Sequence, residues 1–110
     1  MVTRRELSQD ILEEVIDRIV AAVSPKRIVL FGSAARDQMG PSSDLDLLVI
    51  MPSGTHRRKT AQELHRCLKG LGVAKDIVVV TESDVAEQAD NPATVLFPAL
   101  RQGRELYRAA

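Results

Sequence analysis

The sequence predicts one domain of the α/β (α+β) class. Three short runs rich in Val, Ile and Leu have the length of buried strands, and they alternate with segments whose apolar residues recur at helical spacing. Such alternation is typical of helices packed on a sheet. A chain of 110 residues, 45% of them hydrophobic, can bury one small core without a disulfide or a structural metal. We therefore expect residues 1–110 to form a single domain.

The first half of the chain predicts a helix, a strand and a loop. From Leu7 the apolar residues fall on two adjacent rows with charges between them, which indicates an amphipathic helix. Ser24-Pro25 ends this helix, because proline disfavours helical geometry in the residue before it. Arg27 to Phe31 then predicts a short buried strand. A brief helical stretch at Ala34 to Gln38 precedes a loop rich in helix-breaking residues.

Two more strands are predicted further along, with a helix between them. One strand begins at about Asp44 and runs to Ile50. The segment from Thr55 to Gly70 is helical by composition, and its apolar stripe consists of Ala61, Leu64, Leu68 and Leu71. Asp76 to Val80 is rich in β-branched residues and lacks alternation, which predicts a strand buried on both faces.

The C-terminal part predicts two helices. Ser83, followed by acidic residues, predicts the N-cap of a short helix that ends at about Ala89. A last helix is expected from Ala93 to Gln102, where Gly103 ends it. The ring of Tyr107, the only tyrosine, is expected to pack near the C-terminus.

Charge and cysteine content exclude several classes of protein. Lys plus Arg and Asp plus Glu both number 15, so no net positive field attracts a nucleic-acid backbone or an anionic membrane. The apolar runs are far shorter than the roughly 20 residues of a membrane span, and the N-terminus lacks the apolar region of a signal peptide. Cys67 cannot form an internal disulfide, which suits a reducing compartment. We expect a cytoplasmic protein that binds neither nucleic acid nor membrane directly.

Gly32-Ser33 is the first candidate binding feature. A glycine directly after a strand lets the backbone approach a bulky anion, and the Ser33 hydroxyl and the amides that follow can donate hydrogen bonds to phosphate oxygens. A Gly-Ser pair after a strand is more often only a turn, so this feature is weak when taken alone.

Three aspartates are the candidate metal ligands. Side chains alternate across a strand, so Asp44 and Asp46 are predicted on one face and Leu45 on the other. Neighbouring carboxylates repel each other, and Mg²⁺ would relieve the repulsion because it binds through carboxylates and substrate phosphates. Asp76 heads the next strand and could supply a third ligand. Taken singly, each feature is more often an exposed acid without a ligand.

The combination resembles a known family. Gly32-Ser33, ten intervening residues, Asp44-Leu45-Asp46 and an acid that heads the next strand are similar to the signature of the DNA polymerase β-like nucleotidyltransferase superfamily. The resemblance is greatest to its smallest branch, the minimal nucleotidyltransferase (MNT) family. It implies a mixed sheet flanked by helices, in which the two motif strands are adjacent.

The resemblance also implies an activity and its residues. Asp44, Asp46 and Asp76 would bind two Mg²⁺ ions, Asp76 would help to deprotonate the attacking hydroxyl, and Gly32 and Ser33 would hold the terminal phosphates of the nucleotide. The reaction would attack the α-phosphate of ATP and transfer AMP. Members this small are typically antitoxins paired with a HEPN-domain ribonuclease toxin, so the implied acceptor is a hydroxyl side chain of that partner, tyrosine in the first place.

Two alternative functions stay open at the sequence level. A non-catalytic antitoxin would bind the nucleotide and neutralise its partner by occlusion. A small-molecule nucleotidyltransferase of the aminoglycoside type would act as a homodimer without a protein partner. The intact set of three acids argues against the first alternative. Both a homo-oligomer and a hetero-oligomer stay open at this level.

Several other polar residues have structural interpretations. Arg57-Arg58-Lys59 lies in the first turn of a predicted helix, where the helix dipole disfavours cations. A solvated face is the preferred interpretation, and contact with triphosphate, an anionic acceptor or a partner is the alternative. His56 and His65 lack partners at zinc-binding spacing, and Cys67 is expected to pack.

Overall fold

A computed structural model describes residues 9–31, 45–71, 75–88 and 103–109. In these ranges the chain forms, in order, α1 (Gln9–Val23), β1 (Arg27–Phe31), β2 (Leu45–Met51), α2 (Arg57–Cys67), β3 (Lys75–Thr81), α3 (Glu82–Gln88) and β4 (Arg104–Arg108). The helices predicted at Ala34 to Gln38 and at Ala93 to Gln102, and the start of the first helix at Leu7, lie outside the described residues.

The four strands form one mixed sheet in the order β3-β2-β1-β4. β1 is antiparallel to both of its neighbours, whereas β2 and β3 are parallel and joined through α2. Parallel neighbours need such a crossover, because a tight hairpin can join only antiparallel strands. The predicted fold class, and the predicted adjacency of the two motif strands β1 and β2, are confirmed.

The main core lies between one face of the sheet and the helices α1 and α2. Leu45, Leu47 and Val49 point to this face and are fully buried, which confirms the alternation predicted for β2. The apolar stripe of α2 packs on the same side, with Leu64 and Leu68 fully buried. Both helices therefore cover one face and leave the other face of the sheet to different elements.

A smaller apolar cluster lies on the opposite face. Its buried members are Val29, Leu48, Ile50 and Val80, and Phe31, Val78 and Val85 pack against them. Val85 belongs to α3, so this short helix covers part of the face. Alternation along β2 and β3 places Asp46 and Asp76 on this same face, at the beginning of each strand.

Helix α1 ends as predicted. Its last residue is Val23, and Ser24 adopts a left-handed backbone conformation with φ of 49°. The Ser24 N–H donates to the carbonyl oxygen of Val20 over 3.1 Å, and the buried Pro25 follows. This combination satisfies a helix-end carbonyl and directs the chain into β1.

Two predicted features of β3 and α3 are wrong. β3 is the last strand on its side of the described sheet, and Ile77, Val78 and Val79 are only half-buried rather than buried on both faces. The N-cap of α3 is Thr81 and not Ser83, because the Thr81 hydroxyl accepts a hydrogen bond from the Asp84 N–H over 3.2 Å. Ser83 lies inside the helix, where its hydroxyl donates to that of Ser53.

The strand β4 was not predicted. It pairs with β1 through a register shift between Ile28 and Val29, which is the position of a β-bulge. Leu106 and Tyr107 pack against the main core, so the expected packing of the tyrosine is confirmed. The charged residues that flank Leu106 and Tyr107 break the apolar pattern by which a strand is predicted from the sequence.

Candidate functional site

The starts of β2 and β3 bring two aspartates together. In the parallel pairing of these strands, Asp46 is the register partner of Asp76. Neighbouring strands lie about 4.8 Å apart, so the two residues begin from adjacent backbone positions. Both belong to the face that carries the smaller apolar cluster, and their side chains therefore share one side of the sheet.

The two carboxylates differ in accessibility. Asp46 lies on the central strand β2 and is half-buried, whereas Asp76 lies on β3 and is exposed. The alternating neighbours of Asp46, Leu45 and Leu47, are fully buried on the helix-covered face. One member of the pair is thus fixed by the core, and the other is open to a molecule arriving from solvent.

Like charges directly opposite each other destabilise a sheet. A divalent cation bound by both carboxylates would relieve the repulsion between Asp46 and Asp76. Carboxylate oxygens are hard ligands of the kind that Mg²⁺ prefers, and Mg²⁺ commonly binds through one or two of them together with substrate phosphates. The donor set fits a divalent cation.

The end of β1 lies beside this pair. Phe31, the last residue of β1, is the register partner of Asp46, so the chain leaves β1 next to the carboxylates. Gly32, Ser33 and Asp44, the other predicted site residues, lie outside the described residues. Within the described ranges, no group of three or more His, Cys, Asp or Glu side chains that could hold a metal ion is found.

A second polar cluster lies at the opposite ends of the same strands. Arg57 Nη1 lies 3.0 Å from Asp84 Oδ2, which connects the start of α2 to the start of α3. The same Asp84 oxygen accepts a hydrogen bond from the Thr81 N–H over 2.9 Å. This backbone hydrogen bond is the largest cause that lowers the pKa of Asp84, and the Arg57 guanidinium adds to it. The cluster is a helix cap and does not belong to the carboxylate site.

The histidines and the cysteine have structural roles. His56 is the N-cap of α2, since its Nδ1 accepts a hydrogen bond from the Lys59 N–H over 3.2 Å. Cys67 packs against the main core, and its Sγ lies 3.5 Å from the carbonyl oxygen of Leu64. Burial is the first cause that raises the pKa of this thiol, and nearby Glu63 is the second. A less reactive, packed cysteine agrees with the prediction from the sequence.

Known structures share this fold. A crystal structure of a candidate nucleotidyltransferase from Sulfolobus solfataricus superposes on this chain with a TM-score of 0.63 at 15% sequence identity. The superposition covers 90% of this chain and 78% of the Sulfolobus chain. The crystal structure of a toxin-antitoxin with AMP-PNP superposes with a TM-score of 0.58 at 20% identity and covers 89% of this chain and 73% of its own. At these identities the similarity shows the fold.

The family of this chain is shown by its sequence, in addition to the fold that it shares with known structures. No significant match to a curated protein was found. Among the described helices, none is both long and apolar enough to cross a membrane. The nucleotidyltransferase domain family matches residues 10–98, a range that includes Asp46, Asp76 and most of the sheet around them. On this match, the chain belongs to the nucleotidyltransferase domain family.

Proposed function

We propose that this protein is a Mg²⁺-dependent nucleotidyltransferase that transfers AMP from ATP to a hydroxyl group of a partner protein. One observation carries the proposal: Asp46 and Asp76 are register partners on one face of the sheet, in a chain of the nucleotidyltransferase domain family. ATP is the proposed substrate because a protein of the same fold has been crystallised with AMP-PNP.

The proposed site extends the pair by three more residues. Asp44, two positions before Asp46 in the sequence, is the proposed third carboxylate. Gly32 and Ser33, which follow Phe31, are proposed to donate hydrogen bonds to the terminal phosphates of ATP. When bound, two divalent ions would neutralise charge on the phosphates and on the attacking and leaving oxygens.

The two described carboxylates would have different tasks. A bond forms between the acceptor hydroxyl oxygen and the α-phosphorus, the bond from that phosphorus to the bridging oxygen breaks, and pyrophosphate leaves. The hydroxyl proton must go to a base, and Asp76, as the exposed member of the pair, is open to an arriving acceptor. Asp46 is held by a strand whose alternate residues are fully buried, so it can fix the position of the phosphates.

The proposed partner is a HEPN-domain toxin, with this chain as its antitoxin in the cytoplasm. Two features support it: the resemblance to the MNT family at the quoted motifs, and the fold shared with a protein of a toxin-antitoxin pair. Modification of a hydroxyl side chain of the toxin, tyrosine first, would inactivate it.

Transfer of radiolabel tests the activity. The chain is incubated with its purified partner, Mg²⁺ and ATP labelled at either the α- or the γ-phosphate. We expect only the α-label to appear on the partner, and Asp46→Asn to reduce transfer by at least about a hundredfold, a loss typical of removing charge stabilisation at a reacting centre. Asp17→Asn, an exposed aspartate on α1 at the other face of the sheet, is the matched control and should transfer normally.

Two results would contradict the proposal in different ways. Appearance of the γ-label would indicate a kinase. Absence of both labels, with Asp46→Asn still neutralising the toxin in cells, would establish the antitoxin that acts by occlusion.

A further inference from the structure

The outer surfaces of α1 and α2 carry opposite charges. α1 contains four acidic residues and one basic residue, whereas α2 contains four basic residues and one acidic residue. The acids of α1 recur at the spacing of a single helix face and are all exposed; we name this set, Asp10, Glu13, Glu14 and Asp17, the acidic ridge. The exposed bases on the outer face of α2 form the basic ridge: Arg58, Lys59 and Arg66.

Several of these charges oppose the stability of the separate helices. Like charges three and four residues apart on a helix repel each other, and the acidic ridge consists of such pairs. The basic ridge begins in the first turn of α2, which contains no acidic residue and where the helix dipole disfavours cations. Within the fold, Glu14 pairs with Arg18, Arg66 pairs with Glu63, and Asp10 lies in the first turn of α1, where the helix dipole favours an acid. The described contacts give no such stabilising role to Glu13, Asp17, Arg58 and Lys59, and a contact outside the chain would explain their placement.

The ridges are not neutralised by each other within one copy. Both helices pack on the same face of the sheet, yet no ion pair among the described residues joins α1 to α2. The only base of α1, Arg18, pairs with Glu14 and donates to the backbone carbonyls of Cys67 and Lys69. In the described ranges, no ion pair is formed by three acids of the acidic ridge: Asp10, Glu13 and Asp17. In the basic ridge only Arg66 has one there, with Glu63.

The charges select the kind of partner. A nucleic acid or an anionic membrane attracted to the basic ridge would meet the acidic ridge in the same helical layer and be repelled by it. A partner must present acidic and basic surfaces in similar measure. A second copy of this chain does so, because its lysines plus arginines and its aspartates plus glutamates each number 15, and its acidic ridge and basic ridge lie on separate helices.

We propose that copies of this chain associate through these ridges, the acidic ridge of one copy against the basic ridge of another. The contact lies on the helix-covered face and leaves the face with Asp46 and Asp76 free for its own ligands. It is independent of the proposed transferase activity. Because the ridges are charged and exposed, the association depends strongly on salt.

Two charge-reversal variants test the contact. The first, Asp10→Lys with Glu13→Lys and Asp17→Lys, makes both ridges basic. The second, Arg58→Glu with Lys59→Glu and Arg66→Glu, makes both ridges acidic. Circular dichroism melting checks that each variant folds, and the milder Glu13→Gln with Asp17→Asn replaces the first variant if it does not. The reversal Glu82→Lys with Glu87→Lys on α3 changes the same kind of charge away from the ridges and is the control.

Sedimentation velocity measures the association. We expect the wild type and the α3 control to associate near 10 mM salt, where the Debye length is about 30 Å, with an at least about tenfold weaker affinity near 1 M salt, where it is about 3 Å. Each reversed variant should sediment as a monomer alone, and an equimolar mixture of the two should associate again. A monomeric wild type at low salt, association that survives either reversal, or a mixture that stays monomeric would each overturn the proposal.

Discussion

At the residue scale, Asp84 shows how one carboxylate can join three elements. The Thr81 hydroxyl accepts from the Asp84 N–H, and an Asp84 carboxylate oxygen accepts from the Thr81 N–H, so the two residues form a reciprocal capping box at the start of α3. The same oxygen pairs with Arg57 at the start of α2. The spacing of Thr81 and Asp84 in the sequence is that of a capping box. The sequence could therefore have predicted Thr81, rather than Ser83, as the N-cap of α3.

Replacement of Asp84 should have a pH-dependent cost. Asp84→Ala removes the cap and the ion pair and should lower the free energy of unfolding at pH 7 by about 1 to 2 kcal/mol. The pKa of Asp84 is lowered in the fold, so its contribution is present above the unfolded pKa, near 3.9, and is lost as the pH falls through the lower folded value.

Urea denaturation at pH 7 and at about pH 3 measures this effect. The difference between Asp84→Ala and the wild type should shrink at the lower pH. Glu87→Gln, a change of an exposed acid on the same helix, should alter stability by less than about 0.5 kcal/mol at either pH. An equal difference at both pH values would show that the charge of Asp84 does not contribute.

At the element scale, Arg18 fastens α1 to the end of α2. Its Nη1 donates to the carbonyl oxygens of Cys67 and Lys69 over 3.2 and 3.1 Å, and its Nε donates to Glu14 over 2.8 Å. The last carbonyls of a helix lack partners within the helix, and a cation there also interacts favourably with the helix dipole. One side chain thus fixes the relative position of the two helices that cover the sheet.

Loss of this contact should destabilise the helical layer. Arg18→Met keeps the aliphatic stem and removes every donor, so thermal unfolding should show a loss of about 1 kcal/mol, corresponding to about 4 to 8 °C in Tm for a chain of this size. Arg66→Met is the matched control, because Arg66 is exposed and its one ion pair within the described ranges is a long one, 3.6 Å from Arg66 Nη1 to Glu63 Oε2. Equal losses in the two variants would refute a special role for Arg18.

The strands show which elements could be predicted from the sequence. Alternation along β2 predicts its two faces, and Leu45, Leu47 and Val49 are indeed fully buried. The apolar run in β3 predicts a strand but not its place in the sheet, since hydrophobicity along a chain does not reveal how many neighbours a strand has. β4 was not predicted because three of its five residues are charged. Its position in the sheet depends on backbone pairing with β1, which no local pattern reveals.

At the scale of the whole molecule, the site depends on long-range pairing. Asp46 and Asp76 are separated in the sequence by the whole of α2, and their alignment follows from the register of β2 with β3. Local sequence patterns do not specify such a register. The resemblance suggested the three acids as a set, but only the sheet pairs Asp46 with Asp76.

The central claim, that Asp46 and Asp76 hold one cation site, is tested most directly by Mn²⁺ affinity. Electron paramagnetic resonance in the presence of a non-hydrolysable ATP analogue would compare the wild type, Asp46→Asn, Asp76→Asn and the double variant. We predict that each single change weakens Mn²⁺ binding by at least about tenfold, or about 1.4 kcal/mol, and that the double variant loses less than the two single losses combined, as groups on a shared ion do. Unchanged affinity in Asp76→Asn, or losses that simply add, would contradict a shared site.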